Sequence, residues 1–250
     1  MNEIMKKVII ALFLFIILII GYMWFGYANI YNRIGAGGLK MADTQYTYEL
    51  NSLNSREIKY SALGDSLTAG VGADNYNESY PYILASEFSK ENKVVLKDFS
   101  LLGARTEDLI TKNLLKNAVS GKPNIVTLLV GVNDVRENIN DDIFKSNYEY
   151  IVNELISGTK ADIYLINIPF IGSNTFYLPP YNMYFKNKTI KFNNIIKEIA
   201  TKYNLIYIDI ANPTEQIFKK DSFYYSVDSF HPSKEGYKIL AKIIYDNINY

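Results

Sequence analysis

The sequence predicts an α/β protein with a five-stranded parallel sheet covered by helices on both faces, preceded by one N-terminal transmembrane helix. Three observations carry this: an uncharged apolar run near the N-terminus, short apolar runs recurring after residue 58, and amphipathic helical patterns between them. A length of 250 residues fits one large domain or at most two. The 26 Lys and Arg are matched by 26 Asp and Glu, and zero formal charge argues against nonspecific nucleic-acid binding. With no Cys and only one His, the chain has no disulfide, no Cys-based zinc or iron–sulfur site, no thiol nucleophile and no multi-His metal site.

Val8 to Phe25 is 18 residues without a charge or a strongly polar side chain. At about 1.5 Å per residue it nearly matches a hydrocarbon core of roughly 30 Å, and Gly26, Tyr27 and Ala28 can extend it. Lys6 and Lys7 precede it and the next basic residue is Arg33. The positive-inside bias therefore places the N-terminus in the cytoplasm and everything after residue 30 outside. Trp24, Phe25 and Tyr27 stand where an aromatic belt belongs. The run exceeds the usual span of a cleaved signal peptide, roughly 7–15 apolar residues, so residues 1–28 are expected to be an anchor. Cleavage after Ala28 would instead give a secreted protein. Residues 29–57 show no sustained period, contain Gly35, Gly37 and Gly38, and are expected to be a spacer. The domain is expected over 58–250.

Ile58 to Leu63 reads as the first strand. Ser79 caps the next helix, with Pro81 in its first turn. Lys93 to Phe99 is the second strand, and Thr106 is expected to cap a helix that carries Glu107 and Asp108 in its first turn. Ile125 to Val130 is an unbroken apolar run, as a strand covered on both faces requires. A helix over about 141–157 aligns Phe144, Tyr148, Ile151, Val152 and Leu155. Ile163 to Ile168 is the fourth strand and Leu205 to Ile208 the fifth. Between them, after Asn187, Phe192, Ile195, Ile196 and Ile199 recur at helical spacing. The last helix aligns Tyr237, Leu240, Ala241 and Ile244. Such alternation gives a parallel sheet, whose sites form beyond the strands' carboxyl ends.

The strand-to-helix loops carry Gly64, Asp65 and Ser66 after the first strand, Gly103 after the second, and Asn133 and Asp134 after the third. Asp228 and His231 lie on the loop before the last helix. A serine hydroxyl needs a base within reach, and His231 is the only imidazole in the chain. Asp228, three residues earlier, can accept the Nδ1–H and leave Nε2 free to take a serine proton. The backbone N–H groups of Ser66 and Gly103 and the Asn133 amide could hold an oxyanion. Each feature has a plainer alternative: Gly-Asp-Ser as a turn, His before Pro as a capped helix start, Asp134 as a helix cap. Their order, each at a strand end, favours chemistry.

These segments, GDSLTAG, the loop of Gly103, GVND and DSFHPSKEGY, resemble the four sequence blocks of the SGNH (GDSL) hydrolase family over roughly residues 58–250. The resemblance implies a flavodoxin-like three-layer α/β/α sandwich. It assigns Ser66 as nucleophile, Asp228 and His231 as its partners, and Ser66, Gly103 and Asn133 as the oxyanion hole. An exported, anchored member is similar to Gram-positive GDSL-type lipase or acylhydrolase proteins. No G-x-S-x-G is present, so the elbow of the larger α/β-hydrolases is absent. The glycines at 70 and 72 lack the third member of a dinucleotide loop. The expected activity is esterase or acylhydrolase action through an acyl-enzyme on Ser66, without metal or organic cofactor. The substrate is a lipid acyl ester or an O-acetyl group on a glycan. The rivals are an acyltransferase and a cell-surface binding module on the same scaffold. The aromatic stretch Phe170 to Phe185 is either a packed surface loop or a lid or acyl-binding wall, and Phe218 to Tyr225 invites the same two readings.

Overall fold

The structure, a computed structural model, describes residues 2–33, 46–50, 56–170, 172–173 and 176–248. It opens with α1 (Glu3–Arg33), whose 31 residues make it about 46 Å long. The sheet strands are β1 (Thr47–Leu50), β2 (Glu57–Gly64), β3 (Lys93–Ser100), β4 (Ile125–Leu129), β5 (Asp162–Ile166) and β6 (Ile206–Ile208). The helices between and after them are α2 (Ser66–Ala69), α3 (Tyr80–Phe88), α4 (Thr106–Thr111), α5 (Leu114–Ser120), α6 (Val132–Arg136), α7 (Asp141–Gly158), α8 (Tyr181–Tyr203), α9 (Ala211–Phe218) and α10 (Lys234–Tyr245).

The sheet runs β1-β3-β2-β4-β5-β6. Strands β2 to β6 are parallel and β1 joins antiparallel at the edge. The five parallel strands thus stand in the flavodoxin-like order, and the switch point lies between β2 and β4. Six strands rather than five is a correction. The sixth, β1, falls in the stretch expected to be spacer. It pairs Thr47 with Lys97 and Leu50 with Val94, and half of its residues are exposed, so it has no apolar run to betray it. Residues 29–33 continue α1 rather than begin a spacer.

Apolar side chains explain the layers. Every residue of β4 is buried, and helices lie on both sides of the sheet, α3 and α10 packing together on one, α5, α7 and α8 on the other. The stripes of α7 and α10 face inward as expected, with Phe144 of α7 stacked on Phe192 of α8 at 3.9 Å. Ser79 caps α3, its Oγ accepting from the N–H of Tyr82 at 3.5 Å, with Pro81 in the first turn. Thr106 is not the cap expected of it. Arg105 occupies that position, its N–H donating to Asp108 Oδ2 at 3.0 Å, while Thr106 begins α4.

Register brings the loop starts level. Gly64 at the end of β2 pairs with Ser100 of β3 and Leu129 of β4. A Cβ on Gly64 would lie 2.2 Å from the Leu129 carbonyl oxygen and 2.1 Å from Thr68 Oγ1, so only glycine lets the chain turn there.

Candidate active site

The site grows from the turn after β2. Asp65 caps α2, Oδ1 accepting from the N–H of Leu67 at 2.9 Å, and this fixes Ser66 as the first residue of the helix. Opposite, the loop before α10 closes on itself: Ser226 N–H donates to the His231 carbonyl at 2.8 Å, and Tyr225 bridges Pro232. Tyr237 of α10 donates its hydroxyl to Val71 O at 2.7 Å, tying this element to the segment that follows Ser66.

The result is a relay. Ser66 Oγ lies 3.0 Å from His231 Nε2, and His231 Nδ1 lies 2.6 Å from Asp228 Oδ2. All three residues are buried, at 6%, 5% and 3% exposure. A carboxylate facing Nδ1 holds the proton there and leaves Nε2 to accept from the serine. Burial alone would raise the Asp228 pKa. Hydrogen bonds from His231, Ser226 and the Phe230 N–H outweigh it and hold the carboxyl down at about 2, ionised at any working pH.

Asn133 lies in the first turn of α6 and Gly103 on the loop after β3. Asn133 Nδ2 donates to Ala104 O at 2.9 Å, which fastens the start of α6 to the loop carrying Gly103 and leaves the second amide hydrogen unspent on that bond. Asp134 strengthens the same joint across 28 positions of sequence, accepting from Thr106 N–H at 3.0 Å and from Thr106 Oγ1 at 2.7 Å. Burial pushes the Asp134 pKa up to about 6, partly offset by Thr106. Asp65 is fully buried and is pushed to about 7, chiefly by burial and with Asp134 adding repulsion.

One contributor was not singled out from the sequence. Ser226 Oγ donates to Asp228 Oδ1 at 2.7 Å. Its position two residues before Asp228 is the only hint. Asn167 joins the ends of β5 and β6, Oδ1 accepting from Ile210 N–H at 2.8 Å and Nδ2 donating to Asp209 Oδ1 at 2.8 Å. The aromatic stretch is partly regular: Tyr181 to Phe185 form the start of α8, and residues 171, 174 and 175 lie outside the described residues. Phe170, Tyr177 and Phe185 wall a cleft of about 660 Å³ at the ends of β5 and β6, which Ser66, Asp228 and His231 do not line. Among the described residues no group of three or more His, Asp or Glu gathers as metal ligands.

A buried serine, imidazole and carboxylate in line at the switch point of a doubly wound sheet define the class, a serine hydrolase. Residues 62–239 match the GDSL-like Lipase/Acylhydrolase family. The chain belongs to that family and is an ester-cleaving hydrolase. The spore germination lipase LipC of Bacillus licheniformis is 25% identical over 208 residues, covering 74% of this chain and 93% of the relative. A lipase/acylhydrolase from Enterococcus faecalis superposes with a TM-score of 0.63 at 24% identity, covering 77% of this chain and 94% of its own. A catalytic mutant of an acetylxylan esterase from Geobacillus stearothermophilus does so at 0.63 and 19% identity, over 79% and 97%. These two structures speak to the fold alone.

Proposed function

We propose that the chain is a membrane-tethered, outward-facing serine esterase in which Ser66 is acylated. Ser66 Oγ attacks the ester carbonyl carbon as its proton passes to His231 Nε2. The imidazolium is stabilised by Asp228, and the oxyanion is held by the N–H groups of Ser66 and Gly103 and by the Asn133 amide. The C–O bond to the alcohol then breaks and His231 returns the proton to that leaving oxygen. Water repeats the sequence on the acyl-enzyme, releasing the acid and restoring Ser66. The observation that carries this is the buried relay, 3.0 Å from Ser66 Oγ to His231 Nε2 and 2.6 Å from Nδ1 to Asp228.

Tethering and topology rest on α1, a helix apolar and long enough to cross a membrane over the 28 residues Glu3–Ile30, and on Lys6 and Lys7 before its apolar run. Residues 1–28 as anchor and a hydrolase domain from about 58, edged by β1, remain part of this reading. The substrate is an acyl ester of a membrane lipid, the class suggested by tethering and by the similarity to a spore germination lipase. An O-acetyl group on a cell-surface glycan is the second reading. The test compares the full chain in detergent with its Ser66→Ala variant on nitrophenyl esters from acetyl to palmitoyl. Loss of at least about 10³-fold in turnover is expected, with the longer esters preferred. Equal activity of the two proteins on every ester would overturn Ser66 as nucleophile.

A further inference from the structure

We propose that the first turn of α8 is a bilayer-contact surface, which seats the hydrolase domain directly on the lipid from which α1 emerges and selects membrane-borne esters. This rests on the anchored reading of α1 and deepens it.

The observations lie at the outer end of α1. The Tyr181 hydroxyl donates to the carbonyl oxygen of Met23 at 3.1 Å. Gly26 is buried against the same ring, and a Cβ there would meet it at 3.1 Å. One turn further, Asn29 Nδ2 donates to Phe176 O at 3.2 Å, and Ile30 is 2% exposed within the hydrophobic core of the domain. The helix is therefore fastened to the domain over residues 23–30.

Depth follows from helical rise. Met23 lies two residues inside the end of the apolar run at Phe25, on the order of 3 Å. The headgroup layer on each side of a bilayer is only about 5–8 Å thick. A side chain bonded to the Met23 carbonyl thus lies at the hydrocarbon boundary, and the residues of its own helical turn lie within the headgroup layer. Beside the exposed Asn182, two of those residues are large, apolar or aromatic, and uncovered: Met183 is 66% exposed and Tyr184 44%. They continue the aromatic belt of α1, where Trp24 is 71% and Tyr27 45% exposed. In water such a patch costs free energy; at a bilayer interface, Tyr and Trp are the side chains that fit.

The test uses the full chain reconstituted in phosphatidylcholine vesicles with phosphatidylglycerol. The chain contains no cysteine, so a single Met183→Cys carries an environment-sensitive fluorophore without competition, and Lys242→Cys on α10 serves as the remote control. Nitroxide-bearing lipids should quench the label at 183 at least twofold more than the label at 242. Equal quenching at both sites overturns the proposal. In the second arm, Tyr184→Asp should slow cleavage of a vesicle-embedded long-chain nitrophenyl ester about tenfold and leave cleavage of nitrophenyl acetate unchanged. Loss on both substrates, or on neither, also overturns it. If the parent chain cleaves neither ester, the esterase reading fails, and quenching alone still decides the docking.

Discussion

Asp228 accepts four hydrogen bonds while almost wholly buried: from Ser226 Oγ, from the N–H groups of Phe230 and His231, and from His231 Nδ1. A carboxylate so supplied favours the imidazole tautomer the proposed chemistry requires, and it cannot drift. Replacing Asp228 by Asn offers the imidazole an amide that need not accept, so the tautomer bias is lost. Turnover of a short nitrophenyl ester should fall about 10³–10⁴-fold with KM little changed. Retention of more than a tenth of parental turnover would remove Asp228 from the relay. Ser66 could be singled out from the sequence because it follows a strand end. Asp228 and His231 could be because the lone imidazole stands three residues after a carboxylate just before the last helix, although α9 separates that loop from β6 and it is not the strand end expected. Asp134 could not be understood that way. Its partner Thr106 is 28 positions distant, and the pair forms only because β3 and β4 flank β2 and the segments after them meet beyond its end.

At the scale of elements, the loop after α2 serves as the backrest of His231. Gly72 sits at φ +106°, and a Cβ there would come within 2.1 Å of Pro232 O and 3.0 Å of His231 Cβ. Gly72→Ala must therefore strain the backbone and push the imidazole loop away, at a cost of about 1–3 kcal/mol. Both a lower unfolding temperature and at least about tenfold slower ester cleavage are expected from thermal denaturation and steady-state kinetics. Unchanged kinetics would show that the loop does not hold the imidazole. Which elements could be read in advance follows from how each is buried. Strands β4 and β5 are short apolar runs and β2 and β3 begin by alternating buried apolar residues with more exposed ones, so all four declare themselves. The first turn of α8 does not, because Tyr181 to Phe185 follow two prolines and show no apolar stripe of their own. Helix α9 is short and contains Pro213, so its pattern is masked as well.

Across the whole molecule, three carboxyls are buried with raised pKa values: Asp65 at about 7, Asp98 and Asp134 at about 6, each chiefly through burial. In the unfolded chain such groups ionise near 3.8. Between about pH 4 and 7 the folded protein then binds more protons than the unfolded one, and stability falls as pH rises through that window. Asp228 acts oppositely: its contribution is complete above about pH 4 and is lost as pH falls through about 2. Asp98 lies on β3 away from the relay, with Oδ1 accepting from Ser100 N–H at 2.6 Å. Asp98→Asn keeps an acceptor for that bond and removes the buried charge. Urea unfolding at pH 8 should show a gain on the order of 1–3 kcal/mol over the parent, shrinking to nothing at pH 4. A gain that persists at pH 4 would assign the effect to packing instead.

Strand β1 occupies the outer flank of β3 along Val94 to Lys97. A bare flank of that kind is a template on which a second chain can lay down its own backbone. With β1 in place the sheet ends instead on four residues, half of them exposed, which offer a neighbour far less backbone to pair with than the eight of β3. For chains tethered side by side as proposed, so short a border keeps them separate molecules rather than the start of a shared sheet.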